Sequence, residues 1–208
     1  GQFEAARERY AEAVATGVED ARLFYNLGNA SYKSGRLGEA VVWYERALRL
    51  APRDEDVRAN LRFLRRIKQD RDPESTSTLY EIYLSPTLNE LFAATSAGLL
   101  ALFLLACARL WWPAGLGQRV AAVLLILWVA GAGLFTGLRL QRDVGRVEAV
   151  VVQGQGTARS GPDAHQTSVF VIHEGTKVVV ERREGDWLLV RLANGLGGWL
   201  PAEVVTVI

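Results

Sequence analysis

Leu91–Ala108 reads LFAATSAGLLALFLLACA, and Val120–Leu138 reads VAAVLLILWVAGAGLFTGL. Each run is about 18–19 residues long without a charge, the length at which an apolar segment crosses a bilayer as a helix. At about 1.5 Å of rise per residue each gives about 27–29 Å, close to the hydrocarbon thickness. A soluble core helix keeps a polar face, and these two have almost none. Arg109, Leu110, Trp111, Trp112, Pro113, Ala114 and Gly115 through Arg119 separate the runs. Pro and Gly break the helix there, so residues 91–138 read as a two-helix transmembrane hairpin. Trp111 and Trp112 stand where interfacial aromatic anchors stand. Gly133 and Gly137 form a GxxxG, a spacing that lets helix backbones approach closely in lipid. Neither run holds an ionisable group in its interior, which argues against a proton relay, an ion path or a transporter. The hairpin is an anchor in the lipid bilayer, and the parts before and after it lie on the same side of the membrane.

The flanks are soluble and nearly neutral. Lys and Arg number 24 against 23 Asp and Glu, which gives no case for nucleic acid. The single cysteine, Cys107, lies inside the first run, so neither a disulfide framework nor a cysteine zinc site can form. The chain has no Met and starts at Gly1 in mid-pattern, and it reads as a fragment lacking an N-terminal segment or signal peptide.

Residues 1–70 carry an internal repeat. Gly1-Gln2-Phe3-Glu4-Ala5-Ala6 aligns with Gly35-Arg36-Leu37-Gly38-Glu39-Ala40; Tyr10 then matches Tyr44, Ala13 matches Ala47, and Asp20 matches Asp54. This period of about 34 residues resembles the tetratricopeptide repeat, a helix–turn–helix unit. Ala21–Asp54 resembles one complete repeat, with Phe24, Leu27, Gly28, Gly35, Leu37, Ala40, Tyr44, Ala47 and Pro52 at the family's packing positions. Ser31 departs from the pattern, because a large aromatic is usual there. Residues 1–16 read as the second helix of a truncated repeat. Residues 55–70 read as a closing helix with Asp54 as N-cap and Val57, Leu61, Leu64 and Ile67 buried. Its Arg58, Arg62, Arg65, Arg66 and Lys68 have two readings: a solvated face, or, where the helix faces the cytoplasm, a surface for anionic headgroups.

The resemblance implies a concave groove for a protein partner, built from the first helix of each pair. Tyr25, Asn29, Tyr32 and Lys33 are its candidate lining. The opposite reading is that too few repeats are present to make a groove. The family's carboxylate clamp is not carried over, since Asp56 and Asn60 occupy the nearest positions.

Residues 71–90 are polar and Pro-containing at first (Asp72, Pro73, Glu74, Ser75), a linker by composition. Tyr80 and Tyr83 follow, either at headgroup level or in a short packed turn.

From about 147 the period changes to two. Strands are expected at Val147–Val152, Ser168–Ile172, Lys177–Glu181, Trp187–Leu192, Gly198–Leu200 and Val204–Val207. Turn signals at Glu174-Gly175, Glu184-Gly185-Asp186 and Asn194-Gly195 divide them, which describes a small all-β barrel. Ala158-Arg159-Ser160-Gly161-Pro162, His173-Glu174-Gly175-Thr176, Gly185-Asp186-Trp187-Leu188 and Gly197-Gly198-Trp199-Leu200-Pro201 resemble a bacterial SH3-like domain over 147–208. That resemblance implies binding of cell-wall peptides or other proteins. Arg159, Trp187 and Trp199 are the candidate ligand face; the alternative is two core tryptophans and a structural arginine.

No catalytic group, metal site or cofactor site is expected. His165 and His173 have no Cys, His or carboxylate at ligand spacing, and His173 reads as packing. Gly154-Gln155-Gly156 has no helix after it to hold a phosphate. Cys107 lies in lipid, away from any base. The chain reads as a non-enzyme.

The order of parts is that of a multidomain membrane protein: all-α repeats, two-helix hairpin, small β-barrel. It resembles the BatE-like members of the Bat (Bacteroides aerotolerance) operon family. The resemblance implies a scaffold in an envelope complex tied to stress or oxygen tolerance, in the bacterial cytoplasmic (inner) membrane. The partners implied are von Willebrand A-domain membrane proteins and a MoxR-type ATPase, and for the barrel, peptidoglycan. Arg139, Arg142 and Arg146 against Arg109 and Arg119 lean toward cytoplasmic soluble parts. The family leans toward the periplasm, which is the side expected here.

Overall fold

The structure, a computed structural model, describes residues 1–70, 86–109, 111 and 115–208, the side chains of 142–144 excepted. It divides into two compact units, one joining Gly1–Glu81 to Arg146–Ile208 and the other formed by Ile82–Gly145.

The first unit opens with helices α1 (Gln2–Ala15), α2 (Ala21–Lys33), α3 (Leu37–Leu50) and α4 (Glu55–Ile67). The repeated aspartates start two of them. Asp20 accepts from the Leu23 N–H at 2.9 Å, and Asp54 accepts from the N–H groups of Asp56 and Val57 at 3.0 and 3.1 Å. Each thereby satisfies donors that a helix start leaves open. Gly35, at φ +80°, turns the chain out of α2; its N–H reaches the Tyr32 carbonyl and that of Arg36 reaches Ser31. Gly28 faces Tyr44, and a β-carbon there would stand 2.7 Å from the ring. The missing side chain lets α2 and α3 cross closely. Phe24, Ala40, Val42, Tyr44, Ala47, Val57, Leu61 and Leu64 form one core. Ile67 was expected on this face but is 47% exposed. A helix of 3.6 residues per turn carries the stripe from Leu61 and Leu64 to position 68, and Lys68 is the buried residue.

The β domain has seven strands: β1 (Val147–Val151), β2 (Gln155–Arg159), β3 (Ser168–His173), β4 (Lys177–Glu184), β5 (Trp187–Arg191), β6 (Gly197–Pro201) and β7 (Val205–Val207). They form one antiparallel sheet in the order β3-β2-β6-β5-β4-β1-β7. Ala149, Val151, Ala158, Ile172, Val178, Leu188, Val190 and Leu200 from six of these strands share a single core, so the sheet curls around it. Strand β2 was not expected. Its sequence, QGTAR, has no β-branched run, and its pairing with β3 makes it a strand.

The β domain packs on α3. Val150 and Ile208 belong to the helical core rather than to the sheet's own. Two glycines permit the approach. A β-carbon on Gly38 would lie 2.4 Å from the Val151 carbonyl oxygen, and one on Gly175 (φ +83°) would collide with Leu37.

The second unit is a pair of apolar helices, α5 (Leu88–Ala108) and α6 (Leu116–Gly145). Both are long and apolar enough to cross a membrane. Only 11% and 6% of their most apolar windows are buried within the structure. Both exceed the apolar runs. Thr87 and Glu90 make a capping box that starts α5 three residues before Leu91. The close contact differs from the one expected. A β-carbon on Gly98 would come within 2.9 Å of Val129 and Trp128, whereas one on Gly133 or Gly137 of the GxxxG would meet nothing within 4 Å among the described residues. Trp128 Nε1 donates to the Ala94 carbonyl at 3.3 Å, and the hydroxyls of Thr95 and Thr136 meet at 3.5 Å. Of the linker expected over 71–90, residues 71–85 lie outside the described residues, as do Tyr80, Tyr83 and Trp112; Trp111 is exposed.

Candidate binding surfaces

The four groove residues lie on α2 and do not play equal parts. Asn29 Oδ1 accepts from the Tyr44 hydroxyl at 2.7 Å and from Asn60 Nδ2 at 3.1 Å, and Asn60 also donates to the Tyr44 oxygen at 3.2 Å. One amide thus ties α2, α3 and α4 together. Burial pushes the Tyr44 phenol up to about 12, although the Asn60 hydrogen bond works against it. Tyr25 lies 5.9 Å from the Tyr44 ring. Tyr32 meets Phe63 of α4 edge to face at 5.7 Å, and the Lys33 ammonium stands 5.9 Å from the Tyr32 ring. Asn29 is therefore a structural clamp, and Tyr25, Tyr32, Lys33 and Phe63 form the accessible surface beside it. Sequence reasoning missed Phe63, because the repeat pattern assigns no role to that position.

Arg159, Trp187 and Trp199 come together on one side of the sheet. Arg159 pairs with Trp199 across β2 and β6; Leu189 pairs with Trp199, and Trp187 with Pro201, across β5 and β6. Paired residues share a face, so all three point away from the Leu188–Leu200 core. Trp199 is nonetheless buried, because the Arg182 guanidinium lies over its ring at 5.1 Å. The Arg159 guanidinium donates to the Gln166 carbonyl at 2.8 Å. Trp187 is half-buried.

The strongest electrostatics lie where the β domain meets the helices. Glu45 of α3 is buried between Lys177 of β4 (3.2 Å) and Arg65 of α4 (3.3 Å). Lys177 also reaches Glu148 at 2.8 Å. Burial alone would raise the Glu45 carboxyl, but Lys177 and Arg65 outweigh it and hold it below its ordinary range. Burial opposes the charge on Lys177 as well, and Glu45 and Glu148 keep its ammonium raised. The Glu174 carboxylate accepts from the Gly38 N–H at 2.7 Å, and Arg46 donates to the Val207 carbonyl at 2.8 Å.

Beyond α4, the Asp70 carboxylate accepts from the His173 N–H (2.7 Å), the His173 ring Nδ1 (2.8 Å) and the Thr176 hydroxyl (2.8 Å). Burial would raise this carboxyl, yet the donors from His173 and Thr176 leave it lowered. His173 thus has a carboxylate partner, which sequence spacing does not reveal. Among the described residues no group of three His, Cys, Asp or Glu side chains is placed to hold a metal ion.

Residues 1–55 match the family model of the tetratricopeptide repeat. No curated protein matches the chain. The chain thus opens with tetratricopeptide helical repeats, continues through two apolar helices able to span a membrane, and closes in an antiparallel all-β domain.

Proposed function

We propose that this chain is a non-catalytic, membrane-anchored scaffold whose repeats hold a protein partner on the surface of Tyr25, Tyr32 and Lys33. The supporting observation is a division of faces. The β domain packs on α3, while these residues lie on α2, where Tyr32 meets Phe63 of α4 and Tyr25 meets the Tyr44 ring at the α2–α3 crossing. Repeats of this kind present such surfaces to partners and carry no chemistry of their own. The order of repeats, hairpin and β domain resembles the BatE-like proteins. On that resemblance the partners are von Willebrand A-domain membrane proteins and a MoxR-type ATPase, the site is the inner membrane with periplasmic soluble parts, and the role is stress or oxygen tolerance. A photo-cross-linker at Lys33 of the full chain tests the reading. A discrete protein adduct, lost with Tyr25→Ala and absent from a probe at Val18, is the expected outcome. Equal labelling from both positions overturns it.

A second reading gives the β domain an SH3-like role in binding peptidoglycan. It draws support from Arg159, Trp187 and Trp199 sharing one face. It predicts that the whole chain pellets with purified peptidoglycan and that Trp187→Ala releases it. Pelleting no greater than that of an unrelated membrane protein sinks this reading.

A further inference from the structure

We infer that the outward side of α4, formed by Arg62, Phe63, Arg66 and Ile67, is a surface for anionic lipid headgroups; the inference rests on the reading of α5 and α6 as a membrane anchor. Helix α4 buries Val57, Leu61 and Leu64. Its arginines then divide into two kinds. Arg58 pairs with Glu55 at 3.7 Å and Arg65 with Glu45 at 3.3 Å. Arg62 and Arg66 are exposed and have no carboxylate partner among the described residues. They stand one turn apart, and next to each is a large apolar side chain held in the open: Phe63 is 48% and Ile67 47% exposed. Guanidinium groups beside an exposed aromatic and an aliphatic side chain match the headgroup boundary of a bilayer. There arginine forks grip phosphate oxygens and the apolar side chains reach the first acyl carbons.

An acidic peptide would satisfy the same charges, but the chain itself favours lipid. Arg146 alone separates α6 from β1, and α5 follows α4 in the chain from Leu88, so the unit that carries α4 is covalently joined to the apolar helices at two points. Each arginine at an anionic surface contributes about fivefold in partitioning. Two such contacts are weak for a free protein. They suffice for a tethered one, whose high effective concentration replaces intrinsic affinity.

The test uses the full chain in nanodiscs, with Cys107→Ser and an environment-sensitive fluorophore on Phe63→Cys. Discs of phosphatidylcholine alone are compared with discs of equal parts phosphatidylcholine and phosphatidylglycerol. The expected result is a blue-shifted, brighter emission in the anionic discs only. It should be lost in about 1 M NaCl, where screening acts within about 3 Å, and in the Arg62→Glu/Arg66→Glu double variant. A fluorophore on Val18→Cys should not respond. Identical emission from position 63 in both discs overturns the inference and leaves this face to a protein partner, and so does an equal response from position 18. Co-elution of the chain with the discs reads the anchor separately. A chain that enters no disc overturns the anchor reading, and this inference with it.

Discussion

Asp70 and His173, 103 residues apart in sequence, face each other with Oδ1 and Nδ1 at 2.8 Å. An ionised carboxylate can only accept, so the ring nitrogen donates. With the His173 N–H and the Thr176 hydroxyl, Asp70 fastens the end of the helical repeats to the β3–β4 turn. Replacing it with Asn keeps the shape but removes the charge. Asp70→Asn should cost about 1–3 kcal/mol, the scale of losing charge-assisted hydrogen bonds, read by denaturant unfolding.

The same carboxylates set a pH dependence. Asp70 and Glu45 are both lowered from ordinary values of 3.8 and 4.5. A group lowered in the folded state stabilises above its unfolded pKa and loses that stabilisation as pH falls through its folded pKa. Stability should therefore be level above about pH 5 and decline below about pH 4. Asp70→Asn should shallow this decline. An unchanged acid limb in that variant would remove Asp70 from the account.

Gly38→Ala separates helix propensity from docking. Alanine is favoured over glycine in a helix by about 1 kcal/mol. Here its β-carbon would meet the Val151 carbonyl oxygen and the Val152 α-carbon at 2.4 and 2.7 Å, and backbone yields less readily than a side-chain tip. Docking should lose about 1–3 kcal/mol, visible as faster hydrogen exchange in β1.

Ser31 is fully buried, and its hydroxyl has no partner among the described residues. Ser31→Ala removes that unpaired group and improves helix propensity. It should raise stability by about 0.5–2 kcal/mol, seen as a higher unfolding midpoint.

In the hairpin, Gly98→Leu should push the helices apart, because its β-carbon site is already filled by Trp128 and Val129. Gly133→Leu should leave the pair unchanged. Spin labels at Leu99 and Leu127 of the chain in nanodiscs should report a longer distance for the first variant only.

What could be read in advance follows the range of the interaction. The aspartates at 20 and 54 announce their helices because a cap acts over three residues. The glycine at 28 and tyrosine at 44 are legible because a repeat fixes who faces whom. The apolar runs declare themselves by length alone. By contrast, Glu45 finds Lys177, Gly38 finds Glu174, and Asp70 finds His173 across more than 100 residues. No local pattern encodes such meetings. Strand β2 was missed for a related reason, since its neighbours rather than its residues make it extended. The face of Arg159, Trp187 and Trp199 was suggested by motif, but the cover that Arg182 gives Trp199 depends on cross-strand register.

The docking of the β domain onto α3 also has a history in time. The ribosome makes the face around Val41 and Glu45 before either apolar helix, and makes the strands that cover it only after both. At about 5–20 residues per second, the gap between Glu45 and Lys177 lasts on the order of ten seconds. Throughout that interval the core around Val41 is incomplete and the Glu45 carboxylate lacks its Lys177 partner. On the reading of α5 and α6 as a membrane anchor, completion requires that both flanks be delivered to one compartment, which two crossings accomplish and one would forbid. The late strands thus act as a closing seal: a nascent chain halted within the apolar helices has not yet made the residues that cover the α3 face.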